Sequence, residues 1–145
     1  TFHVTEQITL SDNFLSNHNK EVILEQRIVW LYPAFVCDVC DIDIFKAIKS
    51  EPLIKSQLRD IIVLIPQDNY QDFLLYNDEY ELNIRQILPY FGSVFNGQEK
   101  LERASFLNIS NNEITMIYTP KKPINHKRLR NFLKQTHKLT LNSVQ

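Results

Sequence analysis

Glycine is almost missing from this chain: 145 residues contain two, Gly92 and Gly97. Neither stands in a P-loop or dinucleotide pattern, so no glycine-rich loop is on hand to cradle a phosphate. Cysteine is equally scarce, with two residues, and a chain this long can bury a core without a disulfide framework. Long apolar runs are absent. The longest, Ile28 to Cys37, is ten residues and contains Pro33, against about 20 for a bilayer crossing. An excess of one charge is lacking too: 16 Lys and Arg face 17 Asp and Glu, for a net charge of -1. A polyanion such as nucleic acid therefore gains nothing from the overall charge.

What is present fits one globular domain over residues 1–145, with 43% hydrophobic and 23% charged residues. The first residue is Thr1. The expectation is a chain processed or trimmed at its start, with any signal peptide or lipid anchor upstream. Residues 1–20 read as an N-terminal extension, with a short entry strand over Thr5 to Leu10 and a polar loop or helical turn over Ser11 to Lys20. "RIVWLY", Arg27 to Tyr32, is apolar on both faces, the pattern of a central strand in a covered sheet. Ile42, Phe45 and Ile48 recur at helical spacing with Ile44 beside them, and Asp38, Asp41 and Asp43 favour a helix start. "DIIVLIP", Asp60 to Pro66, reads as a second buried strand.

Asp68 to Asn83 reads as a helix with Phe73, Tyr76 and Tyr80 on one stripe. Ile84 to Leu88 is a short strand or helical turn, and Phe91 to Leu101 is loop plus a short helix. Ala104 to Thr119 is a hairpin turning at Asn111-Asn112, since asparagine tolerates the positive φ of a two-residue turn. Asn125 is placed to cap a final helix whose inward face is Leu129, Phe132 and Leu133. The order is β-α-β-α-(β)-α-β-β-α, an α/β three-layer sandwich around a mixed sheet.

Both cysteines fall in one C-x-x-C, Cys37 and Cys40, where the apolar run turns acidic. The residues leave open a redox pair, half a metal site, a structural clip or a relic. A zinc site needs two more ligands. His3, His18, His126 and His137 form no H-x3-5-H spacing and there is no second C-x-x-C, so no metal is expected.

A buried strand ending in C-x-x-C, with the cysteines opening a helix, resembles the thioredoxin motif. "YPAFVCDVC" is similar to the family's aromatic-x-Ala-x-x-Cys-x-x-Cys segment, with Ala34 at the family's alanine. "RASFLNISNNEI" lies without gaps over the family's strand-turn-strand segment. The β-α insertion between Asp60 and Leu101 resembles the redoxin branch, the extracytoplasmic thiol-disulfide oxidoreductases. The resemblance spans roughly Glu21 to His137. It implies a thioredoxin-like sandwich with a mixed central sheet, a C-terminal antiparallel hairpin and a closing helix.

It further implies thiol–disulfide exchange with a protein client, Cys37 attacking and Cys40 resolving, with Pro33, Phe35, Arg103 and Ala104 meeting the client. No organic cofactor is implied. The implied location is a bacterial periplasm or envelope, although a cytosolic C-x-x-C protein would read the same. The chain departs from the family at three places, one being the surroundings of the cysteines, where Val36, Asp38 and Val39 stand for the family's Trp, Gly and Pro. The family's cis-proline position reads Arg103-Ala104, and its buried acid falls at Leu31. The Thr and Arg pattern of the family's peroxidases is absent. The competing expectation is a binding module on the same scaffold, with an inert disulfide.

The acids around Cys37 oppose a thiolate by raising its pKa, which implies a reductant or slow exchanger rather than a strong oxidant. The basic stretch from Lys121 to Lys138 reads as the solvated face of an amphipathic helix, and Asp68, Asp72, Asp78, Glu79 and Glu81 as a wet acidic face. Trp30 is expected in the sheet, near the cysteines.

Overall fold

The computed structural model describes residues 2–11, 27–33, 42–52, 54, 61–121 and 123–144. Six strands form one mixed sheet: β1 (His3–Thr9), β2 (Arg27–Leu31), β3 (Ile62–Pro66), β4 (Gln86–Tyr90), β5 (Ser105–Ser110) and β6 (Glu113–Tyr118), in the order β1-β6-β5-β2-β3-β4. Among the described residues three α-helices accompany them: α1 (Ile42–Ser50), α2 (Tyr70–Glu79) and α3 (His126–Val144). The α/β class with a mixed sheet, a C-terminal hairpin and a closing helix is thus observed.

The all-apolar β2 is central. It runs parallel to β3 and antiparallel to β5, and Val29, Trp30 and Leu31 are fully buried. Alternation sorts the sheet into two faces. Trp30, Tyr32, Val63, Ile65 and Phe106 meet α1, α2 and α3 through Phe45, Ile48, Phe73, Leu129 and Phe132. Trp30 is the hub: it stacks on Phe106 at 5.1 Å and meets Phe45 and Phe73 edge-on at 5.9 and 6.0 Å. Such pairs add roughly 0.5–1.5 kcal/mol each beyond burial.

Val29, Leu31, Ile62, Leu64, Leu107 and Ile109 form the other face, under Leu10, Val94 and Phe95. Among the described residues the expected third layer is therefore thin. Among the described residues all three α-helices pack on one face, and residues 91–101, with a single 3-10 turn at Gln98–Lys100, cover the other. The parallel run β2-α1-β3-α2-β4 steps in one direction across the sheet, and crossovers of one hand then put both helices on the same side.

Local chemistry sets the element ends. The α2 helix stops at Glu79, short of the expected Asn83. The Asn77 side chain donates to the Ile84 carbonyl and accepts from the Ile84 N–H, both at 3.1 Å, and the chain turns through left-handed Glu81 and Asn83. The strand that follows, β4, contains Pro89, which an edge strand tolerates because it pairs on one side only. The hairpin turns at Asn111 (φ 52) and Asn112 (φ 65) as expected. Past the turn Thr115 bulges out of register, and its hydroxyl accepts from Asn108 Nδ2 at 2.7 Å. Asn125 Oδ1 accepts from the Arg128 N–H at 3.0 Å, capping α3. Inside the expected N-terminal extension, β1 pairs with β6 and begins earlier than Thr5.

Candidate functional site

The register across β2 and β5 brings two candidate segments to one end of the sheet. Leu31 lies opposite Ser105, so the chain leaving β2 through Tyr32 and Pro33 passes the chain entering β5 through Arg103 and Ala104. Pro33 is buried and Arg103 half-buried. Ala104 is 2% exposed and belongs to the helix-side core with Tyr32, so its side chain faces protein rather than solvent. Ser105 Oγ donates to the Arg103 carbonyl at 3.1 Å or shares a proton with Thr119 Oγ1 at 2.6 Å. This pair fixes the entry to β5 against the exit from β6.

A buried hydrogen-bond chain holds the exit from β2. The Tyr32 N–H donates to the Leu64 carbonyl at 2.9 Å. The Tyr32 carbonyl accepts from the Tyr90 hydroxyl at 2.5 Å. That hydroxyl accepts from Gln98 Nε2 at 2.9 Å, and Gln98 Oε1 accepts from the Val94 N–H at 2.6 Å. Burial pushes the Tyr90 hydroxyl up to about 12, against the opposing bond from Gln98. It stays protonated, as a donor to Tyr32 must. Gln98, 3% exposed, thus locks the 91–101 cover onto the residue before Pro33. Sequence reasoning missed both Tyr90 and Gln98. The available signal was that the chain's two glycines both fall in this stretch, where both take positive φ (Gly92 +70°, Gly97 +91°).

Two clefts open on this end. One, about 420 Å³, is lined by Pro33, Gly92, Gln98, Leu101 and Glu102 among others. The other, about 470 Å³, is lined by Lys100, Leu101, Glu102, Arg103, Thr119 and Lys121. They share Leu101 and Glu102. The remaining candidates, Phe35, Cys37 and Cys40, lie outside the described residues, and so does the expected loop over residues 12–20. Among the described residues, no group of three His, Cys, Asp or Glu side chains is arranged to hold a metal. No described helix is long and apolar enough to cross a membrane.

The basic C-terminal stretch is partly engaged rather than wholly solvated. Glu51, just past α1, takes a bond from Arg130, and its Oε2 lies 2.6 Å from His126 Nδ1. The hydrogen bond with His126, and then Arg130, hold the Glu51 carboxyl below its usual value, with burial opposing. Arg128 lies over the rings of Phe2 and Tyr118, 5.2 and 5.8 Å from their centroids. In comparisons with known proteins, no family profile, no curated protein and no solved structure matches this chain.

Proposed function

We propose that this chain is a thioredoxin-like thiol–disulfide exchanger of the redoxin type, acting on a protein client, with a bacterial envelope as its setting. One observation carries the reading. A central, doubly covered strand delivers its chain at Pro33 to the end of the sheet where Arg103-Ala104 enters β5. Cys37 follows Pro33 by four residues, a covalent tether of at most about 14 Å, and Cys40 precedes α1 by two.

In the proposed reaction the Cys37 thiolate attacks one sulfur of a client disulfide. The client S–S bond breaks, a Cys37–client disulfide forms, and the client's other sulfur leaves as a thiolate. Cys40, deprotonated, then attacks Cys37. The client leaves as a dithiol, two electrons richer, and the chain is left with a Cys37–Cys40 disulfide. An external dithiol returns the pair to the reduced form. The acids at Asp38, Asp41 and Asp43 disfavour the thiolate, which supports a reductant over an oxidant.

The burial of Ala104 at the family's proline position favours the second reading, a binding module with an idle disulfide, because the side chain there offers a client no contact. The reduction potential of the pair, and its exchange rate with a small dithiol, separate the two. Fast reversible exchange, and a client held covalently by Cys40→Ser, are expected for the exchanger. An inert disulfide that traps nothing leaves the module.

A further inference from the structure

The two clefts beside Pro33 and Arg103 differ in character, and they meet at Leu101 and Glu102. The Pro33 cleft sets the apolar Pro33 and Leu101 beside Glu99 and Glu102. The other gathers three cations, Lys100, Arg103 and Lys121, around Thr119, with the Glu102 carboxylate at the junction. None of the three cations forms an ion pair among the described residues; the ion pairs there are those of Glu51. Phe91, 66% exposed, directly precedes Gly92 at the apolar end.

We infer that the joined clefts form one trough that binds an extended segment of the client, an apolar side chain over Pro33 and Leu101 and an acidic side chain over Arg103 and Lys121. This rests on the exchanger reading and supplies its substrate class: clients with an acidic residue beside an apolar one. Charge complementarity fixes the orientation. The cations attract a carboxylate at their end, Glu99 repels one at the Pro33 end, where like charges disfavour the reversed arrangement, and Glu102, common to both clefts, favours neither end. The net charge of -1 gives the chain no overall pull on acidic peptides, and the exposed Lys127 and Lys134 of α3 are the competing cations that a test must separate from the trough.

Fluorescent, cysteine-free peptides with one apolar anchor, flanked by Glu, Lys or Gln, test this on the oxidised full chain. Without cysteines they read binding apart from exchange. Anisotropy should show the Glu peptide binding about tenfold more tightly than the Lys peptide, with the gap closing at high salt. The double change Arg103→Glu/Lys121→Glu, checked for fold by circular dichroism, should reverse the order. Lys127→Glu/Lys134→Glu, an equal charge change on exposed α3 positions, should preserve it. Equal binding of the three peptides, no binding by any, or the same shift from both double variants would overturn the inference. Exchange with a neutral small dithiol is measured alongside. Active exchange with no charge preference rejects the trough alone, whereas loss of exchange itself strikes the exchanger reading.

Discussion

Two residues carry more of the site end than their side chains suggest. Gly97 sits at φ +91° directly before Gln98, with open space where a Cβ would stand, so an added methyl meets no atom and strains only the backbone. Gly97→Ala should therefore cost about 1 kcal/mol or slightly more, seen as a lower urea midpoint with an unchanged m-value. Tyr90→Phe is harsher. It leaves the Tyr32 carbonyl and the Gln98 amide, both inside the fold, without the hydroxyl between them, a loss of roughly 1–3 kcal/mol.

Tyr90 also sets a pH signature. Its folded pKa is raised to about 12 from 10.0, so the unfolded chain ionises first. Stability is intact below pH 10 and falls as pH climbs from 10 toward 12. Tyr118, raised by burial with Arg128 opposing, adds to the alkaline loss in the same direction. Urea titrations between pH 9 and 12 should show a shallower alkaline loss in Tyr90→Phe, with a remainder due to Tyr118. An unchanged slope would remove Tyr90 as its source.

At the scale of elements, α1 and α3 are tied by one carboxylate. Glu51 sits just beyond the end of α1, against His126 and Arg130 in the first turns of α3. Its depressed pKa means that the tie stabilises the fold above the ordinary carboxylate value of 4.5 and is lost as pH falls through the lower folded value. Glu51→Gln should lower the melting temperature modestly at pH 6, and the gap to the parent should close in acid. A gap that persists at pH 3 would assign the loss to packing rather than charge. The tie joins residues 75 and 79 positions apart, and no local pattern announces it.

The elements that were legible carry their cause within a few residues. Asn111-Asn112 supplies the positive φ of its own turn, Asn125 caps the helix it begins, and β2 advertises its central place by being apolar on both faces. The ambiguous stretches answer to distant partners. The 91–101 cover has no period because its shape comes from Gln98 reaching Tyr90, and α2 ends early because Asn77 binds Ile84. The register that sets Leu31 opposite Ser105, and so brings Pro33 and Arg103-Ala104 to one sheet end, is announced by no local pattern, since it arises from strand order.

For the molecule as a whole, the two faces of the sheet are unequally defended. Among the described residues, three helices and an aromatic cluster around Trp30 cover one, and an irregular segment pinned by the buried Gln98 covers the other. Stability should be distributed accordingly, with the cover opening at lower free energy than the β2–β3–β5 centre. Gln98→Ala isolates this difference. It removes the acceptor of the Val94 N–H and the donor to Tyr90 at once, and it leaves the helix face untouched. Hydrogen exchange read by mass spectrometry should then speed up on the order of tenfold or more in residues 91–101 and in β4. Protection in β5, β6 and α3 should stay near that of the parent, because their hydrogen bonds do not run through Gln98. Uniform acceleration across every element would mean that the cover and core unfold as one unit. The clefts beside Pro33 would then be as rigid as the sheet beneath them, rather than bounded by a segment that can yield.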